Sequence, residues 1–280
     1  MAVPLLNLLS QSSLQDYADC ARRFQLRYLE RLRYPAVEAE PALENEKHQQ
    51  EGEYFHRLAQ QYFIGIPGDR LARLANSPNL QRWWKNFLAT DFVPPGYTRI
   101  PEFTLSSPLE PFRLVAKYDL IAIKPGEKAL IFDWKTYRKR PSNEWLATRW
   151  QTRVYRALLV QAAAHLNHGV PFEPEQIEMT YWFADFPSEP ATFPYNATLF
   201  KRDWDALTKL AQEINSASDG STALTASFPK TDDRQKCSYC PYRGYCDRGV
   251  RAGEGENIEA ETAAEEMFDI NFEQIGEIAF

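Results

Sequence analysis

A pair of neighbouring apolar runs, Phe112–Ile123 and Ala129–Trp134, each interrupted by a single acid, leaves this chain few ways to fold. Both runs are rich in β-forming residues, and Pro125–Gly126 supplies the turn between them, within Lys124–Lys128. That pattern predicts two hairpin strands inside a sheet. Pairing them brings Asp119 near Asp133. A buried, unpaired carboxylate costs several kcal/mol unless a cation or hydrogen bonds compensate. A hard divalent cation does so naturally, and Mg²⁺ prefers carboxylate oxygens with retained waters. Lys135 follows Asp133 by two, so both side chains point to one face of the strand. The ammonium can then orient a metal-bound water, hold it as hydroxide, or stabilise charge on a pentavalent phosphate. This is the chemistry of metal-assisted phosphodiester hydrolysis.

An Asp-x-Lys triplet alone occurs by chance in most proteins, so the weight rests on its partners. His56 falls in Gly52-Glu53-Tyr54-Phe55-His56, and imidazole is an acceptable ligand for Mn²⁺ or Mg²⁺ at a mixed oxygen–nitrogen site. Gln151 and Tyr155 are four apart after the Asp-x-Lys strand, hence on one helical face. There they can hydrogen-bond a phosphate or the lysine.

The rest of the chain predicts helices at about Ser13–Arg33, Glu44–Phe63, Leu80–Leu88, Asn143–His165 and Phe200–Asn215. Pro35–Pro41 is a break. Further strands are expected at Tyr97–Leu105 and Ile177–Phe183. Helices, a meander of strands, then helix–strand–helix is an α/β arrangement around one mixed sheet. A polar connector covers Ser216–Lys236, and no internal repeat is present.

The formal charge of −6 is unevenly spread. Glu254 to Phe280 holds nine acids and no Lys or Arg, leaving 32 basic against 29 acidic residues, net +3, in residues 1–253. The domain reading is therefore a mildly basic body over 1–253 and an acidic, solvated and disordered tail over 254–280. Two basic clusters, Arg22, Arg23, Arg27, Arg31, Arg33 and then Arg138, Lys139, Arg140, are candidates for tracking phosphates. Tyr137 and Tyr242 are candidates for stacking bases. No apolar run approaches the roughly 18 residues that span a bilayer. The N-terminal stretch lacks a basic region and a cleavage site, so it reads as mature protein with a cytoplasmic location.

The four cysteines are Cys20, Cys237, Cys240 and Cys246. Clustering of this kind in a cytosolic protein favours a metal over a disulfide. Zinc and an iron–sulfur cluster both accept four thiolates. Structural zinc sites usually show two paired knuckles, whereas here one ligand stands far from the rest. The asymmetry leans towards a [4Fe–4S] cluster, with zinc as the other occupant. A shared site would clamp the N-terminal helix to the C-terminal segment, a folding role.

In combination, the GxxxH motif ending at His56, Asp119 in a strand, Asp133-x-Lys135 and Gln151-x3-Tyr155 resemble the RecB-like branch of the PD-(D/E)XK nuclease superfamily. Ser10-x-Ser12-x-Leu14-x2-Tyr17-x2-Cys20-x2-Arg23-Phe24 and the closing Cys237-x2-Cys240-x5-Cys246 are similar to its iron–sulfur members, which include the AddB nuclease domain and the CRISPR-adaptation exonucleases. The resemblance spans residues 10–246. It implies a restriction-endonuclease-like fold, a [4Fe–4S] cluster on the four cysteines, and Mg²⁺ or Mn²⁺ held by His56, Asp119 and Asp133. It also implies Lys135 as catalytic lysine and Gln151 and Tyr155 as supports. Ala116 and Ala21 stand where the family often has Gly and Pro, changes that leave the chemistry untouched.

The expectation is a metal-dependent deoxyribonuclease, an exonuclease acting on single-stranded DNA ends or flaps in repair, recombination or CRISPR adaptation. Its expected partners are DNA and a helicase, recombination or CRISPR-adaptation protein, with no membrane. Two other readings are a non-catalytic DNA-binding or assembly module, disfavoured by the intact His56, Asp119, Asp133 and Lys135 set, and a zinc-stabilised protein with no nuclease role. No GxxxxGK[ST] motif is present, so the chain does not unwind DNA by ATP hydrolysis on its own.

Overall fold

The computed structural model describes residues 7–32, 40–218, 228–238 and 240–248. The acidic tail, Arg33, and part of the polar connector lie outside these residues. Six strands form one mixed sheet: β1 (Leu8–Leu9), β2 (Thr98–Leu109), β3 (Phe112–Lys124), β4 (Lys128–Lys135), β5 (Ile177–Phe183) and β6 (Phe186–Pro194). Their order is β1-β3-β4-β5-β6, with β2 on β3. β1–β3 and β4–β5 run parallel, and β2–β3, β3–β4 and β5–β6 antiparallel. No helix among the described residues is long and apolar enough to cross a membrane.

Helices cover both faces. On one side α3 (Glu40–Phe63), α4 (Gly68–Ala72) and α5 (Pro78–Leu88) enclose an aromatic core of Phe55, Trp83, Trp84, Phe87, Phe132, Trp134 and Trp182. On the other, α1 (Gln11–Asp19), α7 (Trp150–Ala162) and α8 (Ala197–Ser218) pack over Leu114, Tyr118, Ile131, Met179 and Tyr181. Alternation along β4 explains both cores at once: Ala129 and Ile131 face the α7 side, and Leu130, Phe132 and Trp134 face α3. Asp133 and Lys135 therefore belong to the α7 face.

The expected hairpin and the strand Ile177–Phe183 are present. Other boundaries differ for local reasons. The helix expected over Ser13–Arg33 starts at Gln11, because Ser10 and Ser13 form a reciprocal capping box, and it breaks at Cys20, whose backbone is extended. α2 (Ala21–Phe24) and a π-helical turn (Gln25–Leu29) follow. The long helix expected over Asn143–His165 is divided at Arg149, also extended, into α6 (Asn143–Thr148) and α7. β1, α4 and β6 were not anticipated; β6 is proline-bearing and largely exposed, the composition of an edge strand rather than a core run.

Candidate active site and cysteine cavity

The site forms where the sheet is interrupted. β3 pairs with β1 at Arg113–Leu114 and with β4 only from Leu120 onward. Between them, residues 115–118 pair with β2 alone. The β2–β3 ladder is continuous except at Glu102 and Asp119, which face each other across it, and Glu102 has a left-handed φ of 54°. Leu114, Ala116 and Tyr118 share a core with Ile121 and Ile123, whereas Leu120 and Ala122 belong to the opposite one. Side-chain alternation thus slips by one residue at Asp119. Such irregularities re-aim side chains and collect at functional sites.

The slip frees the Asp119 carboxylate to act as a polar hub. Its Oδ2 accepts the Trp134 N–H at 2.8 Å, taking the place of a strand carbonyl, and its Oδ1 lies 3.2 Å from His56 Nδ1. Burial alone would raise the Asp119 carboxyl, but His56, the Trp134 N–H and Lys135 outweigh it and hold the carboxyl below its ordinary value. His56 shows the reciprocal effect: burial pulls it down, yet Asp119, Asp133 and Glu102 push it up to about 9.

Asp133 and Lys135 form an ion pair of 3.0 Å with side chains only 3% and 4% exposed. A pair this deeply buried is held for its geometry more than for net stability. Gln151 Nε2 donates to Asp133 Oδ1 at 2.7 Å. Lys135 also lies 5.5 Å from the Tyr181 ring centre and 5.8 Å from that of Tyr137.

α3 runs across the end of β4 at close range. His48 Nε2 donates to the Thr136 carbonyl at 2.7 Å. A Cβ on Gly52 would meet Thr136 Oγ1 at 2.9 Å. The glycine four residues before His56 therefore has a packing reason: only a bare Cα lets the helix approach and deliver His56 to Asp119.

The structure brings His56, Asp119, Asp133, Lys135 and Gln151 to one place and assigns Tyr155 differently. Tyr155 is buried, and its hydroxyl donates to the Lys117 carbonyl at 2.6 Å, inside the open stretch of β3. It braces the strand, and Gln151 holds Asp133. Glu102, missed from sequence, joins the group. Burial raises its carboxyl first, then the nearby Asp119, against the opposing Lys117 and His56. An acid between Pro101 and Phe103, in a strand facing a catalytic-type acid, was the available signal.

Three of the N-terminal arginines, Arg22, Arg23 and Arg27, are held in ion pairs. Arg22 pairs with Glu30, Arg23 with Asp16 and Asp19, and Arg27 with Asp16. Arg140 hydrogen-bonds the Glu189 carbonyl and Asn143. Tyr242 is buried and donates to the Leu32 carbonyl at 3.0 Å, so it stacks on no base. Tyr137 packs against Phe183.

Cys20, Cys237, Cys240 and Cys246 line one cavity, together with Arg23, Lys230, Lys236, Arg243 and Arg248. All four are partly buried free thiols. Burial pushes Cys240 up to about 11, with Cys20 and Cys246 adding to the rise. Thiolates here need a compensating positive charge; the five basic side chains supply some of it, and a bound metal would add to it. Among the described residues, no group of three or more His, Cys, Asp and Glu side chains is yet arranged to hold a metal ion. The donor chemistry fits nonetheless: carboxylates with an imidazole at the sheet gap suit Mg²⁺ or Mn²⁺, and four thiols facing one cavity suit a tetrathiolate centre.

Several solved structures are similar to this chain. A protein described as "Putative exonuclease" from Eubacterium rectale is 12% identical, with 92% of this chain and 93% of that one covered, at a TM-score of 0.50. SSO0001 is 13% identical over 89% and 90%, at a TM-score of 0.41. No curated protein matches the chain. The family model of the PD-(D/E)XK nuclease superfamily matches residues 8–247, which contain the interrupted sheet, its acids and lysine, and all four cysteines. The chain belongs to the PD-(D/E)XK nuclease superfamily.

Proposed function

We propose that this protein is a metal-dependent deoxyribonuclease that hydrolyses phosphodiester bonds at single-stranded DNA ends or flaps, in repair, recombination or CRISPR adaptation. The observation that carries the reading is the meeting of His56, Asp119 and the Asp133–Lys135 pair at the gap between β1 and β4. His56, Asp119 and Asp133 would hold Mg²⁺ or Mn²⁺, with the Glu102 carboxylate beside them. When bound, the cation supplies Lewis acidity and a water of lowered pKa. The chain's own residues do the positioning. Gln151 fixes one oxygen of Asp133, Lys135 the other, and the Trp134 N–H and His56 fix Asp119. The Lys135 ammonium then orients the attacking water and stabilises charge on the phosphate.

The same proposal places a [4Fe–4S] cluster in the four-cysteine cavity, where the basic lining offsets the negative tetrathiolate centre. Anaerobically purified protein should be brown, with broad absorbance at the blue end; a colourless protein would mean zinc. A helicase, recombination or CRISPR-adaptation partner completes the reading.

The test is cleavage of end-labelled single-stranded and duplex DNA with Mg²⁺ or Mn²⁺. Cleavage should vanish with EDTA and fall by about a hundredfold or more in Lys135→Ala, the scale of losing a positioned catalytic group. Label position gives polarity. No cleavage by protein with an intact cluster would move the reading to a DNA-binding or assembly module.

A further inference from the structure

α1 and α7 lie against each other and present matching pairs. Gln11 and Gln15 are four apart on α1, and Gln151 and Tyr155 are four apart on α7, so each pair occupies one helical face. Gln11 Nε2 donates to the Tyr155 hydroxyl at 3.4 Å. Gln15 Oε1 accepts the backbone N–H of Trp150 at 3.2 Å. Trp150 opens α7, and the preceding Arg149 gives that helix no side-chain cap. Gln15 thus supplies, from another helix, an acceptor for one of the N–H groups a helix start leaves unmet.

Each contact lands one step from a carboxylate. Trp150 precedes Gln151, which holds Asp133. Tyr155 grips the carbonyl of Lys117, two residues before Asp119 and on the stretch of β3 paired only with β2. Gln11 Oε1 is buried with no hydrogen-bond partner among the described residues. A buried acceptor left unmet is costly, so packing hydrophobics there would be the stabler choice were stability the only demand. The far end of α1 is Cys20, which faces the other three cysteines.

We propose that Gln11 and Gln15 are positioning residues for cleavage, acting through Tyr155 and Gln151, and that α1 thereby links the cysteine cavity to the active site. The proposal rests on the nuclease reading above. Gln11→Met and Gln15→Met keep length and remove the amide. Each should lower kcat about fivefold, the rate equivalent of one neutral hydrogen bond, and leave KM unchanged. The deciding measurement is a pair of double-mutant cycles. Gln11→Met should have no effect in a Tyr155→Phe background, and Gln15→Met none in Gln151→Met. A helix held only for stability predicts the same loss in both backgrounds, and that result, or an unchanged kcat in the single variants, overturns the proposal. Gln11→Asn and Gln15→Asn, which keep an amide but shorten its reach, carry the same cycles should the methionine variants melt below the assay temperature. Wild-type protein that fails to cleave sinks the nuclease reading and this one with it; active wild type with additive losses sinks this one alone.

Discussion

Gly52 and Thr136 show how one missing side chain sets the site. The Cα of Gly52 sits where α3 crosses the end of β4, and a methyl there would stand 2.9 Å from Thr136 Oγ1. Gly52→Ala should destabilise the protein by about 1–3 kcal/mol, the usual cost of overpacking a tight contact, read from urea unfolding. Adding Thr136→Ala removes the clashing hydroxyl and should recover most of that loss. A double variant as unstable as the single would mean the close approach is not what the glycine serves. Asp119 makes the complementary point. Its carboxylate occupies a backbone's role in the β3–β4 ladder by accepting from Trp134, and this substitution of side chain for main chain opens the sheet for chemistry.

At the level of elements, α7 is the piece on which the site depends, and its back is pinned as firmly as its front. Asp203 of α8 is fully buried and meets Arg153 Nε at 2.8 Å, Arg202 Nη2 at 2.9 Å, Arg156 Nη2 at 3.6 Å and the Tyr195 hydroxyl at 3.2 Å. Arg156 is 3% exposed, and burial pulls its guanidinium below the usual value despite Tyr195 and Asp203. Asp203→Asn leaves that cation in the interior without its counter-charge. The expected loss is about 3–5 kcal/mol by denaturant titration, the range for breaking a buried pair from one side. A loss below about 1 kcal/mol would show that the Thr152 and Pro194 carbonyls, which Arg156 also reaches, suffice to hold it.

Across the whole molecule, the two ends of the described chain meet at the cysteine cavity. Several contacts join them without any metal: Phe24 stacks on Phe228 at 6.2 Å, Arg22 N–H donates to the Pro229 carbonyl at 3.2 Å, and Lys236 pairs with Asp19 at 2.9 Å. If the four cysteines hold the proposed metal centre, Cys20→Ser should lower Tm by several degrees and speed proteolytic cutting around residues 228–248, because such a centre would close a very long loop and contribute folding energy. Unchanged Tm and cutting would assign the clamp to these ordinary contacts instead. The sequence by itself determined what has a local period. The hairpin carrying Asp119 and Asp133, the shared face of Asp133 and Lys135, and the pairing of Gln151 with Tyr155 all follow from spacings of two on a strand and about 3.6 on a helix. Tertiary structure alone decided what those spacings cannot encode. It set His56 on Asp119 across 63 positions, placed Glu102 opposite Asp119 at a slip in both strands, neutralised Arg22, Arg23 and Arg27 with Asp16, Asp19 and Glu30, and turned Tyr155 into a brace. Those outcomes depend on which faces pack together and on where a ladder breaks, and packing between distant segments leaves no periodic trace in the chain.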